Sequence, residues 1–391
     1  MPEMVRKQSA THAMHPKRVH EFMQSLFAAD FHAQRVFSMA TGVVGVLHAA
    51  AASIHAIGLG LAIATGRKSK HAIKQVDRLL SNAGLSVWDL FQPWVTFVLG
   101  ERDDIVVALD WTEFDADGHS TLALHLVTTH GRSTPLLWRT VYKRALESRR
   151  SEHERELLQR FRELVPDATR VTILADRGFG SQSLYTDLQR MKLDFVIRFR
   201  SKINVLSATG EARTAADWVP PNGKARMIRD ARVTSDETAV AAVVCVKAKN
   251  MKDPWCLASS RADLTAAETV KLYSRRFTLE RSFRDQKDLR FGLGLSATHI
   301  GTSDRRDRLL LLIAVAQALM TLLGAAAEGQ GLDRHTKANT SKKRTHSLYR
   351  QGWMWYQLLP TARDEWVERL MNRFGELVRQ QAVFAELFGI L

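Results

Sequence analysis

Two short apolar runs, each closed by an aspartate, constrain this chain more than any other feature. Ile105-Val106-Val107-Ala108-Leu109 runs into Asp110, and Val171-Thr172-Ile173-Leu174-Ala175 runs into Asp176. Short apolar runs rich in β-branched residues read as buried strands. A carboxylate that closes such a strand must be paired, hydrogen-bonded or metal-bound, because an isolated charge out of water is costly. Taken singly, either aspartate is explained as a structural cap on the next turn. Asp176 is the more specific, because Arg177-Gly178-Phe179-Gly180 follows it and glycine permits a sharp backbone path beside the carboxylate. The acids Asp103, Asp104, Glu113, Asp115 and Asp117 stand in turn-like polar contexts and are weaker candidates.

The pattern around these runs predicts an α/β sheet whose first strands are antiparallel. Leu122–Thr128 and Leu136–Tyr142 follow the first run at hairpin-like spacing, and a charged helix spans Ser151–Leu164. A helix over Ser181–Met191 and a strand over Asp194–Arg200 follow the second run. Between 201 and 260 the helical pattern stops, Val and Ala alternate with charges over Ala225–Ala248, and Pro220-Pro221-Asn222-Gly223 marks a turn. This segment reads as an inserted β domain. Helical periodicity returns over Thr265–Arg290. The organisation expected is therefore a helical region at 1–100, an α/β domain in two pieces at 101–200 and 261–328, a β insertion at 201–260, and a helical region at 329–391. The last begins with a polar basic linker, Gly331–Arg350, and is aromatic-rich, with Trp353, Trp355, Trp366 and Phe374.

Charge narrows the partners. Lys and Arg outnumber Asp and Glu by 56 to 41, a net charge of +15, which calls for nucleic acid or an anionic membrane surface. Val36–Gly66 and Leu309–Ala327 are each long enough to span a bilayer of about 30 Å. The first is broken by Gly42, Gly45, Gly58 and Gly60, the second carries Gln317, and neither has aromatic belts. Both read as buried helices, and no membrane partner is expected. Cys245 and Cys256 are the only cysteines and form no CxxC pair, so a disulfide framework or cysteine zinc site is not expected and a reducing cytoplasm fits. There is no HExxH, and the basic N-terminus lacks the apolar core and cleavage site of a signal peptide.

A basic helix is expected after Arg67-Lys68-Ser69-Lys70, with Ser69 as N-cap, an apolar stripe of Ile73, Val76, Leu79 and Leu80, and Asn82-Ala83-Gly84 as stop. Arg67, Lys68, Lys70, His71 and Lys74 suit a DNA-reading helix with cations near phosphates, although an ordinary solvated helix has the same pattern. On the helix around Glu280, at about 100° per residue from Tyr273, Arg276 falls near −60°, Glu280 near −20° and Lys287 near −40°. One face then carries a phenol, a carboxylate and two cations, flanked by Phe277 and Phe283. Ion pairing of Glu280 with Arg276 or Arg284 accounts for the charges but not for the tyrosine.

The spacing of Tyr273, Arg276, Glu280 and Lys287 resembles the Tyr-Arg-Glu-Lys signature of cut-and-paste DDE transposases of bacterial insertion sequences. Asp176-Arg177-Gly178-Phe179, the aspartate-terminated first strand and the chain order, including the β insertion, resemble that family too. The likeness covers about 100 to 325 well and the two ends only in layout.

The resemblance implies an RNase H-like catalytic domain interrupted by a β-rich insertion and flanked by N- and C-terminal helical domains. Asp110, Asp176 and Glu280 would be the catalytic residues and the ligands of two Mg²⁺ ions, with Mn²⁺ able to substitute. Tyr273, Arg276, Arg284 and Lys287 would bind phosphates beside the cut. Trp255, in Pro254-Trp255-Cys256-Leu257-Ala258, resembles the tryptophan that receives a flipped base during hairpin formation, although a core tryptophan closing the β segment fits as well. The implied partners are double-stranded DNA and a second copy of the chain, with no small-molecule substrate, in a bacterial cytoplasm at the nucleoid. A catalytically silent descendant acting as a DNA-binding regulator is the alternative.

Overall fold

In a computed structural model, residues 16–290 and 292–379 are described, so what was expected of residues 1–15 and 380–391 lies outside the described residues. Among the described residues, five helices come first: α1 (Pro16–Phe27), α2 (Ala33–Ala49), α3 (Ile54–Thr65), α4 (Ser69–Ser81) and α5 (Val87–Leu99). The glycines expected to break Val36–Gly66 do something different. They lie inside α2 and α3, where an added Cβ at Gly45 would come 2.6 Å from the Ile57 carbonyl oxygen. Gly45 and Gly60 let α2 and α3 touch backbone to backbone, Gly58 lets α4 approach α3, and the break falls at 50–53, where the axis bends by 95°. Helix α4 starts on Ser69 itself, with Lys68 in the cap position and no side-chain cap bond. Gly66, in the left-handed region at φ 66°, ends α3.

The sheet follows. Strands β1 (Asp104–Phe114), β2 (His119–Leu126) and β3 (Thr134–Tyr142) form an antiparallel meander. After helix α6 (Arg150–Leu164), β4 (Arg170–Ala175) pairs parallel with β1; after α7 (Gln182–Arg190), β5 (Asp194–Phe199) pairs parallel with β4. Strands β6 (Asn204–Leu206), β7 (Ala212–Thr214), β8 (Arg226–Val233), β9 (Thr238–Val246) and β10 (Trp255–Ser259) complete one ten-stranded sheet in the order β3-β2-β1-β4-β5-β10-β9-β8-β6-β7.

Residues 201–260 are strand-rich, as their pattern predicts, but they extend the central sheet. Strand β10 pairs antiparallel with β5, Cys256 opposite Phe199 and Ser259 opposite Val196. Without it β5 would present an open edge, with a row of unpaired amides and carbonyls. Val243, Val244, Cys245, Cys256, Leu257 and Ala258 are all buried, and their apolar runs suit interior strands.

The remaining helices are α8 (Ala266–Ser274), α9 (Phe277–Lys287), α10 (Ser303–Gly329), α11 (Leu348–Leu358) and α12 (Asp364–Arg379). Helix α10 is long and apolar enough to cross a membrane, yet 94% of its apolar window is buried against other parts of the chain. It packs on β3, α2, α4, α11 and α12, and so joins the N-terminal helices, sheet and C-terminal helices in one apolar core. At its crossing with α11, a Cβ on Gly324 would lie 1.9 Å from the Leu348 carbonyl oxygen, and one on Gly352 1.8 Å from that of Met320. The segment read as a linker is tethered: Arg344 pairs with Glu328 and Lys337 with Asp333, and α11 begins inside it. Trp353, Trp355 and Phe374 are buried within the chain, and Trp366 stacks on His335 at 4.1 Å.

Candidate active site

Strand pairing brings the two aspartates together. The parallel ladder of β1 and β4 closes at Leu109 opposite Ala175, so Asp110 and Asp176 are the next residues of adjacent chains. Strand β1 does not end there, contrary to the reading of its apolar run. Its other edge stays paired to β2 as far as Phe114 opposite His119, because the hairpin partner continues where β4 departs. Asp110 therefore sits where one neighbour leaves the sheet, a place where ligand sites commonly open in α/β sheets. Its Oδ1 accepts a hydrogen bond from the Trp111 amide at 3.0 Å, and Asp176 Oδ1 accepts one from the Gly178 amide at 2.8 Å. Neither Gly178 nor Gly180 has a positive φ. Gly180 is required by proximity, since an added Cβ would fall 2.8 Å from that of Phe199.

Glu280 arrives on α9, and the helix expected over Thr265–Arg290 is divided. Thr265 and Glu268 form a reciprocal cap at the start of α8, which ends at Ser274. The chain then tightens to three-residue hydrogen bonds: Arg276 N to Tyr273 O at 3.0 Å, and Leu279 N to Arg276 O at 2.9 Å. The tightening carries Arg276 away from a continuous helical face and into the sheet, where it is buried. Helix α9 is fixed over the β1–β3 meander at several points. The Ser133 amide donates to Ser282 Oγ at 2.9 Å, Arg132 pairs with Asp285, and Phe283 packs edge-on to His125 at 5.2 Å.

At the centre, Arg276 joins two of the carboxylates. One guanidinium nitrogen donates to Asp110 Oδ2 at 3.0 Å and the other to Glu280 Oε1 at 2.5 Å. Asp110 is nonetheless pushed up to about 6, first by burial, with Arg276 opposing and the charges of Asp176 and Glu280 adding to the rise. Tyr273 is buried and pushed up to about 12, mainly by that burial, so its hydroxyl keeps its proton. Trp255 packs on Tyr273 at 5.0 Å and on Phe277 at 5.8 Å, an aromatic group beside Arg276.

Lys287, at the far end of α9, donates to the Glu113 carbonyl oxygen at 2.5 Å and to Thr112 Oγ1 at 3.2 Å. It thus clamps α9 to the part of β1 beyond Asp110, and burial lowers its pKa. Asp110, Glu280, exposed Arg284 and Lys287 line an open cleft of about 550 Å³; Asp176 is not part of that lining. Arg67, Lys68, Lys70, His71 and Lys74 are exposed at and around the start of α4, apart from these groups, with Arg67 donating to Gln75 at 2.9 Å.

Glu154 of α6 was not singled out in the sequence. It is buried, accepts a hydrogen bond from the Trp111 indole at 2.8 Å, and has its pKa raised by burial. Its signal was present: it stands on the same helical stripe as Leu157, Leu158 and Phe161, where a carboxylate is out of place.

Residues 101–319 match the family described as Transposase DDE domain. The chain belongs to that family. Its members are metal-dependent enzymes of DNA cleavage and strand transfer, and the match spans β1 to β10 and both helices that carry Tyr273, Arg276 and Glu280. No curated protein matches the chain. The transposase holds, in Asp110, Asp176 and Glu280, the hard oxygen donors that divalent ions such as Mg²⁺ prefer. Among the described residues, however, no three acidic, histidine or cysteine side chains converge as a ready-made metal cage. The Arg276 guanidinium stands between Asp110 and Glu280.

Proposed function

We propose that the chain is an insertion-sequence transposase of the group with the Tyr-Arg-Glu-Lys signature, built on an RNase H-like domain. The observation that carries this reading is that Arg276 bridges Asp110 and Glu280 while strand register sets Asp176 beside Asp110, which draws on two adjacent parallel strands and the helix that crosses them. Asp110, Asp176 and Glu280 would hold two divalent ions, which when bound activate the attacking water and stabilise the leaving 3′ oxygen. Exposed Arg284, with Arg276 and Lys287 once DNA is present, neutralises phosphates beside the cut. The aromatic group of Trp255, Tyr273 and Phe277 supports a cut that passes through a DNA hairpin, because a strained turn is relieved by moving a base out of the stack and onto an aromatic face. The freed 3′ ends would then be joined to target DNA.

In this reading the helices of 16–99 bind the element's terminal repeats through Arg67, Lys68, Lys70 and Lys74, and the helices beyond Gly329 pair two copies of the chain on two ends. The enzyme would act at the nucleoid of a bacterial cytoplasm. The test is excision from a supercoiled plasmid carrying the gene with its native flanks, with Mg²⁺, with EDTA, and with Asp110→Ala. Metal-dependent excision at defined ends, lost in the variant, is expected. Binding at those ends without cutting under any condition would instead support a regulatory descendant.

A further inference from the structure

The cation at the centre of the acidic site is a side chain. Arg276 is only 7% exposed and contacts Asp110 and Glu280 at once, whereas the Glu280 side chain is half exposed at 50%. The guanidinium also faces the Phe277 ring at 5.4 Å and follows directly on the tightened turn between α8 and α9. It therefore occupies the position from which a cation addresses both carboxylates, and it does so with oxygens that a divalent ion would need.

We propose that Arg276 is an internal counter-ion that competes with divalent metal for Asp110 and Glu280, so that the DNA-free enzyme binds metal weakly. The inference rests on the metal-site reading above. Two cations cannot share Asp110 Oδ2 and Glu280 Oε1 without strong like-charge repulsion, so one must leave before the other is seated. An incoming phosphate offers the guanidinium an equally good bidentate partner. By linkage, a phosphate that draws Arg276 away raises metal affinity, and metal raises affinity for the phosphate by the same factor. Metal loading is then coupled to the presence of DNA, which restrains cleavage chemistry in the free protein.

The test is direct binding of Mn²⁺ to the DNA-free full chain, followed by the electron paramagnetic resonance signal of the free ion. Wild type is compared with Arg276→Gln, Arg276→Lys and Asp110→Asn. Arg276→Gln should bind Mn²⁺ about tenfold more tightly than wild type, the middle of the range for site-to-site coupling. Arg276→Lys, which keeps a charge without the two-pronged contact, should fall between. Equal or weaker binding by Arg276→Gln overturns the proposal while leaving the metal site standing, provided Asp110→Asn lowers the affinity. Binding that ignores Asp110→Asn overturns both readings. If Arg276→Gln does not fold, crystals of the wild-type chain soaked in Mn²⁺ decide: a peak on Asp110 with Arg276 displaced from Oδ2 supports competition. A bound ion with both Arg276 contacts intact refutes it.

Discussion

Leu109 of β1 faces Ala175 of β4 in the last rung of their parallel ladder, and the next residue of each chain is an aspartate. This one register decides the site. A slip of one residue would turn one carboxylate to the opposite face of the sheet. The apolar runs before Asp110 and Asp176, buried on both faces, hold that register in place.

Glu280 reaches Asp110 through Arg276 and remains half exposed. Replacing it by alanine should leave the fold intact and lower plasmid cleavage by about 10³-fold or more, the scale of losing a principal charge-stabilising group. Binding of the element's ends should change little in a gel-shift assay. Simultaneous loss of binding and cleavage would mean that Glu280 is structural.

Asp307, at the start of α10, is half-buried, accepts hydrogen bonds from the Thr140 amide, and is pushed up to about 8, chiefly by removal from water. A carboxyl raised in the folded state keeps its proton while the unfolded chain has lost it. Its contribution to stability therefore falls as pH rises from about 4 to 8, by at most about 1.4 kcal/mol per unit, and shows as a net decline above about 6.5 before levelling off. Buried His125 and His130 act at lower pH, because both are depressed to about 3 and their contribution grows only up to the ordinary histidine pKa. Thermal melts of wild type and Asp307→Asn across this window check the assignment. The asparagine should flatten the decline, and an unchanged slope would move it to another group.

Gly352 and Gly324 allow the backbones of α10 and α11 to touch. Gly352→Ala should cost about 1–3 kcal/mol or more, since the methyl group meets a main-chain oxygen and not a side chain able to rotate away. Chemical denaturation measures this. A loss of a few tenths would show that the crossing can widen freely.

The net charge of +15 predicts DNA binding dominated by phosphate neutralisation. Affinity should drop by about 10³-fold or more between about 50 and 200 mM salt. Replacing Lys68, Lys70 and Lys74 together by alanine should make that dependence shallower, by about 0.9 in log–log slope for each phosphate left without its lysine. If fluorescence anisotropy gives the wild-type slope for the triple variant, α4 does not touch the DNA backbone.

Much of this was legible locally. The runs ending at Asp110 and Asp176 identified buried strands because burial on both faces leaves an uninterrupted apolar run. The helix read over Ser181–Met191 is α7, with Ser181 just outside it as the cap, where its hydroxyl satisfies an otherwise unpaired amide. The two long apolar stretches read as interior helices, and α10 has 94% of its apolar window buried against other parts of the chain. Glu154 was missed although its place among Leu157, Leu158 and Phe161 marked it.

Other features needed the folded chain. Pattern alone could not tell an inserted β domain from five strands added to an existing edge, because strand pairing is a contact between distant segments and leaves the same alternation in either case. The end of β1 was misplaced for a related reason: Asp110 stops the apolar run, but β2 keeps the strand paired to Phe114. Helical spacing brought Tyr273, Arg276, Glu280 and Lys287 to one side, yet the tightened turn that sends Arg276 onto Asp110 depends on a partner 166 residues away in sequence. The sequence by itself marked Asp110 and Asp176 as acids closing buried apolar runs, and the likeness of its spacing to a family signature marked Glu280. Only the tertiary structure decided which cation they would meet, because that choice is made by long-range charge and strand register, which no local pattern records.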